Sequence, residues 1–176
     1  LVGSEMCIRD RCEASPGVIW AGGFMSGICK IEKKKGFKIS HISPAAIAGV
    51  RPDQYIFDIK KDSGGDIWSG GYHHLKRINL ETKSVRLYPG VNSITTIQEK
   101  DTRQMWIGTR MGFYQLDKES GVYQYVDLPI ESPYICALFQ RDDGILYIGT
   151  RGAGLLVYDI NTVSYTHLTL PTSDLV

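Results

Sequence analysis

One short phrase recurs four times along this chain. Ile19-Trp20-Ala21-Gly22, Ile67-Trp68-Ser69-Gly70, Met105-Trp106-Ile107-Gly108 and Leu146-Tyr147-Ile148-Gly149 each set an aromatic two residues ahead of a glycine. The anchors Trp20, Trp68, Trp106 and Tyr147 are 48, 38 and 41 residues apart. A β-rich period near forty residues is the length of one four-stranded propeller blade. The spacing predicts an all-β chain: a partial β-propeller of three to four four-stranded antiparallel blades, its ring not closed.

The register repeats around each anchor. Ile59, Ile97 and Leu138 each stand nine residues before their aromatic, and Gly70, Gly108 and Gly149 stand two after it. Asn79-Leu80-Glu81-Thr82, Asp117-Lys118-Glu119-Ser120 and Asp159-Ile160-Asn161-Thr162 form one turn written three times. Strand, turn and register agree between units, which is the consistency a repeat fold requires. The units run over about 11–44, 53–90, 91–130 and 131–162.

In the first unit, Ser15-Pro16-Gly17 is a turn, because proline presets φ and glycine accepts positive φ. Strands are expected over Val18–Ala21, Gly27–Glu32 and Phe37–Ile42, the last alternating apolar with polar residues. No strand is expected ahead of Ser15. Ser43–Asp53 is an irregular connector, in which Pro44–Val50 suits a single helical turn. The second unit has all four strands, and the fourth is expected to stop in its last turn, one strand short.

Those expectations at the ends rest on composition. Leu1–Asp10 and Val163–Thr172 resemble translated library-preparation adapters, and residues 173–176 follow the second of them. Residues 1–10 and 163–176 are therefore read as artefact and 11–162 as the propeller fragment. Excluding Cys7 leaves Cys12, Cys29 and Cys136, which define no disulfide framework and no metal site. Cys29 and Cys136 fall in apolar runs that suit buried, inert thiols.

With 20 basic and 19 acidic residues interspersed, the chain offers no electrostatic case for nucleic acid or an anionic membrane. The run Lys33-Lys34-Lys35 suits a solvated hairpin turn. No window approaches the roughly 18 apolar residues of a membrane span.

The repeated phrase resembles the two-component regulator propeller repeat, whose consensus joins a turn with Asp and Gly to Trp-Ile-Gly-Thr and then Gly-Leu. Ile94–Asp117 carries it most fully, with Trp106-Ile107-Gly108-Thr109 and Gly112-Phe113. Ile135–Asp159 follows with Tyr147 for Trp and one extra residue near Ala153. The second unit departs at Ser69 and His74, and the first at Ala21. The resemblance implies an extracytoplasmic, periplasmic sensor segment of a hybrid histidine-kinase regulator, sensing glycan breakdown products, with any kinase outside this stretch. Its implied partners are an oligosaccharide ligand and the remaining blades of the parent ring. It implies neither cofactor nor catalytic residue. The alternatives are part of a propeller lyase or glycoside hydrolase, and an interaction scaffold.

The individual residues constrain the chemistry less. Trp20, Trp68, Trp106 and Tyr147 sit among aliphatic residues at a fixed repeat position, which suits blade-core packing better than sugar stacking. Gly70, Gly108 and Gly149 suit close strand packing or a bulge. His73-His74 cannot chelate from one regular strand, since adjacent side chains face opposite ways. Asp62-Ser63-Gly64 and Asp142-Asp143-Gly144 lack the spaced glutamate of a calcium loop and read as turns. Phe24, Tyr72, Arg110 and Arg151 each follow their aromatic by four residues. Equivalent positions share one rim of a radial repeat, so this set either meets a glycan or anionic partner or consists of ordinary exposed loop residues.

Overall fold

The computed structural model describes residues 8–23, 27–34, 36–42, 55–131 and 133–168. It contains four sheets, each a four-stranded antiparallel meander in chain order. The first is β1 Ile8–Ser15, β2 Val18–Gly23, β3 Gly27–Lys34 and β4 Gly36–Ile42. The second is β5 Ile56–Lys61, β6 Ile67–Gly71, β7 Leu75–Asn79 and β8 Ser84–Tyr88. The third is β9 Ile94–Glu99, β10 Gln104–Thr109, β11 Phe113–Asp117 and β12 Tyr123–Tyr125. The fourth is β13 Ile135–Gln140, β14 Ile145–Thr150, β15 Leu155–Asp159 and β16 Ser164–Leu168. Among the described residues there is no helix, and the connector with Pro44–Val50 lies outside them.

Two expectations at the ends are corrected. β1 supplies a strand ahead of Ser15, with Cys12 opposite Trp20 and Asp10 opposite Gly22. β16 completes the fourth sheet, with Tyr165 opposite Tyr158 and Thr166 opposite Val157. Residues 8–10 and 164–168 therefore belong to blade strands. Backbone pairing needs no apolar pattern at a sheet edge, and this is why composition did not announce them.

The cores lie between sheets. Trp20 and Ile28 pack with Ile59, Ile67 and Ile78 of the next sheet. Trp68 and Leu75 pack with Ile97, Met105 and Leu116. Trp106 and Phe113 pack with Leu146, Ile148 and Leu156. Each interior aromatic thus contributes to the contact with the blade that follows it. Tyr147 is the correction: it is half-buried, not buried, because no further blade among the described residues covers its face, and nearby Phe139 is 62% exposed.

The glycine after each aromatic makes room for the next blade. A Cβ at Gly22 would fall 2.9 Å from Ile56 Cβ, and one at Gly108 would fall 2.7 Å from Ile135 Cγ2. Gly149 meets only Ala137 of its own sheet, at 3.5 Å. The repeated turns close on one side chain each. Asn79 Oδ1 accepts from the Glu81 and Thr82 amides, Asp117 Oδ1 from Glu119 and Ser120, and Asp159 Oδ1 from Asn161 and Thr162.

Candidate functional site at the rim

Each first strand carries one extra residue at its start. In β1, Ile8 pairs with Gly23 and Asp10 with Gly22, leaving Arg9 outside the ladder. Phe57 is left out of β5 and Cys136 out of β13 in the same way. In β9, Ile94 pairs with Thr109 and Thr96 with Gly108, leaving Thr95. A β-bulge of this kind re-aims one side chain per strand. All four bulge residues line one cavity of about 430 Å³, together with Arg110 and Tyr134.

Of the loops that follow second strands, the one after β10 brings Arg110 to that cavity, and those after β6 and β14 bring Tyr72 and Arg151 against Arg110 and Tyr134. Backbone bonds fix two of them: Arg110 N donates to Ser93 O at 3.1 Å, and Arg151 N to Tyr134 O at 2.9 Å. Ser93 N in turn donates to Tyr72 O at 3.0 Å, tying the third blade's entry to the second blade's loop.

Arg110 is exposed, yet its guanidinium is bracketed by rings from both neighbouring blades. Its Cζ lies 4.9 Å from the Tyr72 ring centroid, 5.4 Å from Phe57 and 6.0 Å from Tyr134. Its Nη2 donates to the Tyr72 hydroxyl at 3.3 Å, and this phenol contact raises the Arg110 pKa further. Tyr55 and Phe57 meet the Tyr72 ring edge-on, each at 5.0 Å. Arg151 Cζ lies 5.4 Å from the Tyr134 ring.

Of the four rim positions singled out in the sequence, three thus gather on one end of the blades: Tyr72, Arg110 and Arg151. Phe24 lies outside the described residues. Sequence reasoning missed Arg9, which it set aside with residues 1–10, and also Phe57, Thr95, Tyr134 and Cys136. The shared register was available as a signal, since Phe57, Thr95 and Cys136 each follow the first isoleucine of their strand. The reading of Cys136 as buried is corrected: the bulge breaks the alternation with Ile135, and its thiol is exposed at the cavity. Cys12 and Cys29 are half-buried, and burial pushes both thiols up, Cys12 to about 11.

The tryptophans stand apart from this rim. Trp68 Nε1 donates to Asp62 Oδ2 at 2.8 Å and Trp106 Nε1 to Gln140 Oε1 at 2.8 Å. Trp20 Nε1 is buried without a hydrogen-bond partner among the described residues. His73 and His74 lie in the loop between β6 and β7 with ring centroids 6.5 Å apart, the first exposed and the second half-buried. Asp62 is spent on structure, accepting from Asp66 N and from buried Lys118 Nζ at 3.3 Å. Among the described residues, no group of three His, Cys, Asp or Glu side chains is placed to hold a metal. No helix there is long and apolar enough to cross a membrane.

No protein-family model and no curated protein sequence matches the chain. Solved structures do. The extracellular domain of a hybrid two-component system from B. thetaiotaomicron aligns at TM-score 0.78 and 17% identity, covering 98% of this chain and 23% of that one. A second such domain from the same organism aligns at TM-score 0.68 and 20% identity, covering 86% and 20%. Catalytically inactive virginiamycin B lyase from Staphylococcus aureus, solved with quinupristin, aligns at TM-score 0.76 and 19% identity, covering 98% and 58%. The chain spans about a fifth of the length of the extracellular domains it matches. At these identities the likeness concerns the fold, and the chain is a four-bladed stretch of an open β-propeller.

Proposed function

We propose that this stretch is a non-catalytic, ligand-binding part of an extracytoplasmic sensor propeller in a two-component regulator, and that its ligands are glycan-derived. The observation that carries the reading is the bracketing of Arg110 by Phe57, Tyr72 and Tyr134 beside a cavity of about 430 Å³. Aromatic faces and fixed donors around a cavity of this size are what a sugar site needs. The fold likeness to two-component extracellular domains supports the placement. The remaining blades of the ring are its structural partners, received on the uncovered face of Tyr147 and Gly149.

Cys136 gives a direct test of where ligands bind. Maleimide labelling mapped to the Cys136 peptide should slow in the presence of the oligosaccharides that bind. Binding with unchanged Cys136 labelling would place the ligand elsewhere.

The fold likeness to virginiamycin B lyase keeps a second reading, a propeller lyase with chemistry at this cavity. Incubation with quinupristin, followed by chromatography for a ring-opened product, separates the two. Turnover would replace the sensor reading.

A further inference from the structure

We propose that the rim cavity takes an acidic saccharide, with a sugar carboxylate held on the N–H edges of Arg110 and Arg151 and the pyranose face against Tyr134. This rests on the glycan reading of the same rim and names the charge class of its ligand.

The first argument is how these two arginines differ from others on the same blades. Arg77 pairs with Asp66 at 2.5 Å, Arg103 with Asp117 at 2.8 Å and Arg141 with Asp143 at 2.8 Å. Each of those neutralises its charge on a carboxylate of its own blade. Among the described residues, Arg110, Arg151 and Arg86 have no carboxylate partner, but Arg86 spends Nη1 and Nη2 on the Lys118 and Glu119 carbonyls. What engages Arg110 is the phenol of Tyr72 together with ring faces. Two cations thus approach the Tyr134 ring, at 6.0 and 5.4 Å, without a carboxylate partner among the described residues.

The second argument is geometric. A guanidinium stacked through its face leaves in-plane donors free, and their forked arrangement matches a carboxylate. Arg110 spends Nη2 on the Tyr72 hydroxyl and also interacts with the Tyr134 phenol, which together set its orientation and leave part of its donor fork for a ligand. Orientation is further held by backbone bonds at both arginine positions, to Ser93 O and Tyr134 O.

The third argument is the lining. Phe57, Thr95, Tyr134 and Cys136 bring aromatic and small polar surface to the cavity, Arg9 adds a further cation, and no carboxylate among the described residues lines it. Nearby Asp58 is turned away, accepting from Ile97 N and pairing with Lys60 at 3.0 Å. A neutral sugar would leave both cations without a counter-charge, whereas a uronate supplies one and offers its C–H face to Tyr134.

Isothermal titration of the full chain with tetragalacturonate, its carboxyl-reduced counterpart and a sulfated neutral tetrasaccharide tests this. The uronate should bind at least tenfold tighter than either of the others. Arg110→Ala and Arg151→Ala should each weaken it by about tenfold or more, as loss of a charge-assisted bond does, with Arg110→Lys intermediate. Unchanged melting temperatures would separate these losses from misfolding, since both side chains are exposed. Equal affinity for the reduced sugar, or indifference to both alanine variants, overturns the inference and leaves the glycan reading standing. Equal affinity for the sulfated sugar overturns the carboxylate assignment. If no saccharide binds, the glycan reading falls as well.

Discussion

Ile94 occupies the space that a side chain at Gly70 would need. A Cβ built on that glycine would fall 3.0 Å from Ile94 Cβ, and closer still to its Cγ2. The glycine lets the first strand of one blade press against the second strand of the blade before it. Gly70→Ala should therefore cost about 1–3 kcal/mol by overpacking. Gly149→Ala should stay within about 0.5 kcal/mol, since only Ala137 lies near. Denaturant midpoints of the two variants check the contrast, and equal losses would show that close blade packing is not what the glycine serves.

Lys118 joins two blades through buried charge. Its Nζ reaches Asp62 at 3.3 Å and also bonds Glu99, with side-chain exposures of 6%, 1% and 22% for the three residues. Burial opposes ionisation of Asp62, but bonds from Trp68, Asp66 and Lys118 outweigh it and lower the Asp62 pKa. Lys118→Met should cost about 3 kcal/mol by stranding these carboxylates. Arg103→Ala, at an exposed pair, should cost under about 1 kcal/mol. Chemical denaturation of both variants measures the difference.

Asp58 and Asp10 make stability depend on pH in opposite directions. Burial pushes Asp58 up to about 7, so its contribution is full below the ordinary carboxylate value and is lost as pH rises from about 4 to about 7. Burial also opposes ionisation of Asp10, but hydrogen bonds with Asp58 and Lys60 overcome it and bring the group to about 2. That contribution is lost only as pH falls below about 4. The chain should consequently melt at a higher temperature at pH 5 than at pH 8, and Asp58→Asn should flatten this difference. A difference of equal size in the variant would refute the assignment.

Val163 sits in the left-handed region at φ 54°, where the equivalent turn of the third blade has Gly121 at φ 78°. A β-branched residue is strained there, and Val163 is 71% exposed, so little packing would be lost with its side chain. Val163→Gly should stabilise the chain by about 1 kcal/mol. A lowered melting temperature would show that the β15–β16 turn does not carry this strain.

The interior of the fold could be read from the sequence because every blade repeats the same physical problem. Trp68, Gly70 and Asn79 recur in register with Trp106, Gly108 and Asp117, and in both sets the tryptophan packs on the next blade, the glycine makes room for it and the last residue closes a turn. What escaped was whatever depends on a neighbour or on backbone alone. Tyr147 matches the tryptophans by position but has no blade to cover it. Ile8–Ser15 and Ser164–Leu168 pair through amides, so their side chains carried little signal. At the rim, Tyr72, Arg110 and Arg151 were legible as equivalent loop positions. Phe57 and Cys136 were hidden because a bulge changes the parity of its strand, so that alternation assigns the wrong face.

That bulge has a consequence for how such a ring can diversify. Arg9, Phe57, Thr95 and Cys136 stand outside the strand ladders and away from the inter-blade cores, yet all border the same opening. On the proposed reading, exchanging Arg9, Phe57 or Cys136 alters what the mouth recognises without breaking a ladder bond, whereas Thr95 also ties two blades, its hydroxyl donating to Gly108 O and Ile135 O. Under the proposed sensor reading, selectivity would be composed blade by blade, each blade bringing both a wall of the scaffold and one bulge side chain to the recognition surface.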